Sequence, residues 1–279
     1  MYIFLFVLGL MVGSFLNVCI RRLPQESAEE RSIVRPRSHC PRCKTPIRWH
    51  DNIPLLSYVS LRGKCRACRA PISIHYPAVE LLTGLLFVAC AAAFGLTFAA
   101  LKWTLFACLM VVLVFTDIIE RILPDAVNFV GLGAGLLLAF FSEPMDGIAA
   151  WVISKWLRLQ APLPAVSFAD AVLGAVVGGG LLWLVGEVYV KWRGREGMGF
   201  GDVKMMAMVG AFLGPQRTLL TILCGSLLGS VLGLLFILLR KKGTDYELPF
   251  GTFLGAAALL VVFFGTTALQ WYLRISGLR

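Results

Sequence analysis

Two pairs of cysteines carry the clearest chemical signal in this sequence. Cys40-Pro41-Arg42-Cys43 and Cys65-Arg66-Ala67-Cys68 are separated by 21 residues, the spacing at which two tight turns each supply two thiolates to one tetrahedral zinc. The pairs also form an internal repeat. Residues 40–47 (CPRCKTPI) parallel 65–72 (CRACRAPI), and His50 and His75 each follow their second cysteine by seven residues. A segment of this size buries little core, so a metal is an effective staple. Four thiolates close the shell, which predicts a structural Zn2+ on Cys40, Cys43, Cys65 and Cys68 and leaves His50 and His75 to packing or hydrogen bonding. A redox CxxC or a pair of disulfides is the competing chemistry. Cys19, Cys90, Cys108 and Cys224 lie singly in apolar runs and read as small buried hydrophobes.

Carboxylates beside apolar runs are the second signal, because charge next to hydrocarbon is costly and marks candidate function. Asp117 follows the apolar run 101–116, and Asp202 sits in Gly-Met-Gly-Phe-Gly-Asp-Val-Lys (197–204) before another. Two carboxylates sharing a site cannot both ionise readily. The ionised one can activate water while the protonated one polarises a carbonyl. This pattern invites an aspartic-peptidase reading, although Asp117 and Asp202 are 85 residues apart and only a fold can unite them. Asp125, after Leu-Pro, and Asp202 could instead cap helices. Asn17 in 13–18 (GSFLNV) and Glu80 early in an apolar run are weaker signals that a neighbouring helix could satisfy. Met198, Met205, Met206 and Met208 around Asp202 read as adaptable packing.

These residues must be positioned by membrane helices. Of 279 residues 58% are hydrophobic and 15% charged, with a mean hydropathy of +0.79, too apolar for an ordinary soluble domain. Apolar segments at 1–20, 77–95, 101–116, 126–141, 171–190, 203–213, 217–239 and 250–272 predict an all-α polytopic membrane protein with about eight transmembrane helices. The first segment carries no charge and no cleavage-site pattern, which reads as a retained span. The net charge of +10 is concentrated: residues 21–75 hold 12 of the 26 Lys and Arg against four acidic residues. Basic loops beside spans are cytoplasmic under the positive-inside rule, and such a face could attract membrane lipid; with no recognition motif the charge does not point to nucleic acid. The basic residues at 121, 191–195 and 240–242 fit the same orientation. The expected division is a first helix over 1–20, a cytoplasmic zinc-ribbon-like module over 21–76, and a multi-helix peptidase domain over 77–279. Segment 203–213 is too short to cross alone and could continue inward through Gly199-Phe200-Gly201-Asp202, a loop of irregular backbone lining a cavity at membrane depth. Within the long connection 142–170, residues 150–160 predict a helix lying at the interface.

The motifs GSFLNV (13–18), RSHCPRC (37–43), DNIP (51–54), CRAC (65–68), YPAVELLTG (76–84), TD…LPD (116–125), GMGFGDVK (197–204) and LPFGTFL (248–254) together resemble the type IV prepilin leader peptidases, in the family's order over nearly the whole chain. The resemblance implies a bacterial inner-membrane aspartic peptidase of the GxGD type. Such an enzyme cuts basic leaders from prepilins or pseudopilins on the cytoplasmic side, then N-methylates the new terminus with S-adenosylmethionine. Carried over by motif, the catalytic pair is Asp117 and Asp202. The 142–170 connection looks longer than usual and Thr252 replaces a common proline. No glycine-rich nucleotide loop is visible, so the methyl-donor site is not readable; Glu80 is the candidate for holding the amine. A proton-coupled transporter relaying through Asp117, Asp202 and Glu80, and a non-enzymatic scaffold, are the alternatives. Oligomeric state is not encoded in any motif.

Overall fold

The structure is a computed structural model that describes the chain except residues 28, 36, 145–146, 156–161, 195–196, 241–248 and 278–279, and the side chains of 236–240. The described residues form helices α1 (Tyr2–Arg22), α2 (Leu56–Ser60), α3 (His75–Phe94), α4 (Phe98–Glu120), α5 (Asp125–Ala139), α6 (Ile148–Lys155), α7 (Leu163–Arg193), α8 (Phe200–Leu213), α9 (Pro215–Arg240) and α10 (Phe250–Ile275), with a 3-10 turn at Trp49–Asn52. Among them no strand forms; two isolated β-bridges lie between α1 and α2 and between α2 and α3. Each of the eight expected apolar segments is a helix. Six (α1, α3, α4, α7, α9 and α10) are long and apolar enough to cross a membrane, while α5 has 15 residues and α8 has 14.

The chain divides into two compact units, Met1–Glu120 and Arg121–Arg279. In the first, α1 packs along α3, and α4 packs against both. The α1–α3 seam repeats every fourth residue, the spacing of one helix face. A Cβ on Gly9 would stand 2.7 Å from Gly84 Cα, one on Gly13 would stand 2.8 Å from Glu80 Cα, and Asn17 Nδ2 donates to the Tyr76 carbonyl at 3.0 Å. The pairing 9–84, 13–80, 17–76 makes the helices antiparallel. Small residues let two membrane helices approach this closely.

In the second unit α8 is central, packed against α5, α7, α9 and α10. Met205, Met206, Met208 and Val209 are fully buried there, so these three methionines are packing, as expected, while Met198 is half-buried ahead of α8. Backbone touches backbone between α7 and α8: a Cβ on Gly174 would fall 2.1 Å from Gly210 O, and one on Gly178 would fall 2.2 Å from Met206 O. Glycine and proline set the helix ends. α7 stops at Gly194 (φ 69°), α8 stops at Gly214 (φ 76°), and Pro215 opens α9.

The connection read as 142–170 is shorter than its hydropathy suggests. α7 already begins at Leu163, capped by Pro162 with Pro164 in its first turn. Asp170 concealed this start, because a carboxylate breaks an apolar run. It is buried inside α7, where it accepts the Ala149 N–H of α6 at 3.3 Å. α6 covers the first part of the helix expected at 150–160; Trp156 and Arg158 lie outside the described residues, as do Arg195, Lys241, Lys242 and Leu248.

Candidate functional site

The two cysteine turns have the same backbone. Cys40 N–H donates to Thr45 O at 3.0 Å and Lys44 N–H to Cys40 O at 2.9 Å; the second turn repeats this as Cys65 to Ala70 at 2.8 Å and Arg69 to Cys65 at 3.0 Å. The residue after each second cysteine, Lys44 or Arg69, has φ 58°, a left-handed conformation uncommon outside glycine. All four Sγ atoms lie within 4.8 Å of one another. Cys40 and Cys68 are 3.9 Å apart, and Cys43 and Cys65 are 4.0 Å apart. Zinc–sulfur bonds of about 2.3 Å in a tetrahedron place sulfurs about 3.8 Å apart, so the four residues fit Zn2+. The cysteines are free thiols, which does not match the disulfide alternative. The Thr45 hydroxyl and backbone N–H hold the Cys43 thiol down to about 6, and the Cys68 and Ala67 N–H groups lower Cys65. Cys68 differs: the Ala70 N–H pulls it down, yet burial and the neighbouring sulfurs carry it up to about 11. Four thiolates this close repel one another, and a dication removes that conflict. His50 is exposed in the 3-10 turn against Trp49, and His75 opens α3 with its ring 6.2 Å from Phe115 of α4; neither belongs to the cysteine cluster.

A strap joins this module to the membrane helices. Arg66, inside the second cysteine turn, grips Asp51 with Nε to Oδ2 at 2.8 Å and Nη2 to Oδ1 at 2.6 Å. Arg66 is also what holds the Asp51 carboxyl below its ordinary range. Four residues on, Leu55 adopts φ 60° and its N–H donates to Glu80 Oε2 at 2.9 Å. Ser14 of α1 is a further hydrogen-bond neighbour of that carboxylate. Arg21 donates to the Tyr76 hydroxyl and lies over its ring. Glu80 is therefore buried where the strap, α1 and α3 meet. Sequence reasoning missed Asp51, Arg66, Leu55 and Tyr76. The signal available was the i, i+4 pattern of Gly9, Gly13 and Asn17 against that of Tyr76, Glu80 and Gly84.

The two aspartates occupy opposite kinds of helix end. Asp117 lies in the last turn of α4, buried, after Thr116, whose hydroxyl donates to the Val112 and Leu113 carbonyls. The His75–Phe115 contact puts the start of α3 beside this end of α4, so Asp117 and the cysteine module share one end of the first unit. Asp202 is in the first turn of α8, 7% exposed, with its N–H donating to Gly199 O at 3.1 Å. The helix dipole favours negative charge there. Gly201 permits the turn to pass Leu123, whose Cβ would be 3.1 Å from an added Cβ. The N-cap positions are Pro124 and Gly199, so Asp125 and Asp202 lie inside the first turns of α5 and α8 and not at the caps themselves. Asp125 instead pairs with Lys204 of α8 at 2.7 and 2.8 Å, which ties the Leu-Pro-Asp and Gly-Asp-Val-Lys motifs together.

Apolar helices carrying buried carboxylates near their ends, with a four-thiolate module beside one of them, define a polytopic membrane protein. Residues 7–94 match the bacterial peptidase A24 N-terminal domain, and residues 104–234 match the type IV leader peptidase family. The chain is 38% identical over 288 residues to "Prepilin leader peptidase/N-methyltransferase" of Aeromonas hydrophila, covering 96% of this chain and 92% of the relative. It is 37% identical over 98% of its length to the protein of that name from Pseudomonas aeruginosa, 93% of which is covered. The same-named Myxococcus xanthus protein is 44% identical over 85% of this chain, which spans 63% of that longer relative. No solved structure matches. This chain belongs to the type IV leader peptidase family. None of these relatives supports the transporter alternative.

Proposed function

We infer that this protein cleaves the basic leader from prepilins or pseudopilins at the cytoplasmic side of the bacterial inner membrane and then N-methylates the exposed residue. The observation that carries this reading is near end-to-end similarity to relatives bearing both activities in their name.

Asp117 and Asp202 are the proposed catalytic pair. Asp202, at the helix N-terminus, takes the ionised role and draws a proton from water, while a protonated Asp117 polarises the scissile carbonyl. Zinc on Cys40, Cys43, Cys65 and Cys68 supplies folding energy to the module, since four protein ligands leave it no open position. Methyl transfer needs a neutral amine held in line, so positioning dominates. S-adenosylmethionine is the methyl donor, and no described residue is assigned to it. Glu80 is proposed to hold the amine: Oε2 is engaged by Leu55, and a carboxylate retains further acceptor sites. The strap through Asp51 and Arg66 then makes the zinc module the support of the methylation step.

The deciding experiment incubates purified enzyme with a prepilin, with and without S-adenosylmethionine, and reads product mass. Asp117→Asn and Asp202→Asn should each lose cleavage by at least about a thousandfold, the scale of a lost proton-transfer and charge-stabilising group, while remaining folded. Asp125→Asn should be milder. The double mutant should still methylate pre-cleaved pilin, whereas Glu80→Gln should cleave but methylate poorly. Near-normal cleavage by either single aspartate variant refutes the pair, and a folded double mutant that methylates nothing refutes separate sites.

A further inference from the structure

Asn128, in the first turns of α5, is 1% exposed, and neither its Nδ2 nor its Oδ1 has a protein partner. An unpaired buried amide is costly, more so in a helix bounded by hydrocarbon. Its side chain borders a cleft of about 220 Å³ between α5 and α8, with Phe129, Leu132, Phe200 and Lys204; the amide lies just behind the apolar wall and meets a ligand there once the side chain turns outward. Phe129 and Phe200 expose 57% and 61% of their surface, the rings of a partly built apolar wall. Lys204 lies 5.6 and 5.2 Å from their centroids, but its charge is answered by Asp125.

We propose that this cleft is a substrate subsite, in which the Asn128 amide makes a two-point hydrogen bond to a peptide group of an unwound prepilin segment. The proposal rests on the peptidase reading above. A ligand that satisfies Asn128 must offer a donor and an acceptor together. A peptide group does so. A phospholipid ester offers acceptors only, and the neutralised Lys204 provides no net positive charge for an anionic headgroup. A chain being cut must be extended at the scissile bond, which strips nearby backbone groups of their helical partners; at membrane depth those groups need partners from the enzyme. The cleft lies on the far side of α8 from Asp202, because residues 200, 203, 204 and 207 share one helix face. Half the circumference of a helix about 10 Å across is about 16 Å, a path that an extended chain covers in about five residues. The peptide group held by Asn128 is thus a few residues from the bond that is cut, and the flanking rings take an apolar side chain.

The test compares wild type with Asn128→Leu, which keeps the volume and removes both polar atoms, in the full-length detergent-solubilised enzyme. Cleavage by wild type is the control for the peptidase reading: its failure sinks that reading before this one is tested. The subsite predicts a KM for prepilin about tenfold higher, the loss of one or two hydrogen bonds, with kcat within about twofold and no fall in Tm. An unchanged KM with an equal or higher Tm overturns it and leaves the amide to a buried water. If Asn128→Leu does not fold, benzoylphenylalanine in place of exposed Phe129 decides the matter. Crosslinks to prepilin that mature pilin lacking the leader competes poorly are expected; adducts to phospholipid alone, or none, overturn the proposal.

Discussion

The cysteine module and the α7–α8 seam are stabilised in opposite ways. In the module, two turns of the same shape present four sulfurs, and few large side chains are buried; Trp49, Leu56 and Val59 are exposed by 81%, 68% and 73%. A metal on the four sulfurs would supply its stability. Between α7 and α8, what matters at Gly174, Gly178 and Gly210 is the absence of side chains, which lets backbone meet backbone. The solvent explains the difference. In water a small loop lacks the area for a core, whereas between lipid chains there is no hydrophobic drive to associate and close packing takes over. A membrane enzyme with a soluble appendage therefore needs two separate kinds of stabilisation.

Removing zinc should separate them most strongly. Structural zinc sites in small domains are worth on the order of 10 kcal/mol of folding energy, so Cys65→Ser or a strong chelator should release about one zinc per chain and open residues 41–64 to protease. Methylation should be lost while helix content and cleavage persist. Metal analysis paired with limited proteolysis reads this out; a wild-type protein with no zinc and oxidised cysteines breaks the comparison.

The converse lesion is Gly210→Leu. Its Cβ would stand 2.0 Å from Gly174 O, and backbone cannot step aside as a side chain can. The cost should exceed about 3 kcal/mol, with loss of cleavage but retention of zinc. Gly133→Ala in α5, with nothing within 4 Å of the new Cβ, should unfold at the wild-type temperature or above. Equal Tm values for Gly210→Leu and Gly133→Ala would show that the seam tolerates side chains after all.

The smallest effect belongs to the strap. Asp51 is held below the ordinary carboxylate range by Arg66, so its contribution is complete above the ordinary carboxylate value of about 4 and disappears as pH falls through the lowered one. Amide protection over 51–55 should be modestly weaker in Asp51→Asn than in wild type at neutral pH, and the gap should close in acid. A gap that does not change with pH would mean that Arg66 is not what the carboxylate serves.

Much of the candidate site was legible in the chain because its parts are local. A CxxC turn is specified within six residues, and hydropathy alone located the helices that carry Asp117, Asp202 and Glu80. The misplaced boundaries lie beside carboxylates: Asp170 hides the start of α7 until its Ala149 partner is seen, α4 runs past residue 116 to Glu120, and the loop expected through Asp202 is helical from Phe200. The His residues of the repeat lie outside the cysteine cluster, His50 against Trp49 and His75 against Phe115.

Sequence alone determined the thiolate set, the apolar helices and the placement of carboxylates at helix ends, since each depends on residues within one or two turns of one another. Tertiary structure decided which distant groups meet. Asn17 finds the Tyr76 carbonyl 59 residues away, Leu55 finds Glu80 across 25, and Lys204 finds Asp125 across 79. Leu55 shows why such pairs are unreadable: its N–H is a backbone group that every residue but proline possesses, and it is aimed at Glu80 only because a left-handed turn, an Asp51–Arg66 pair and a glycine-lined seam bring the two together.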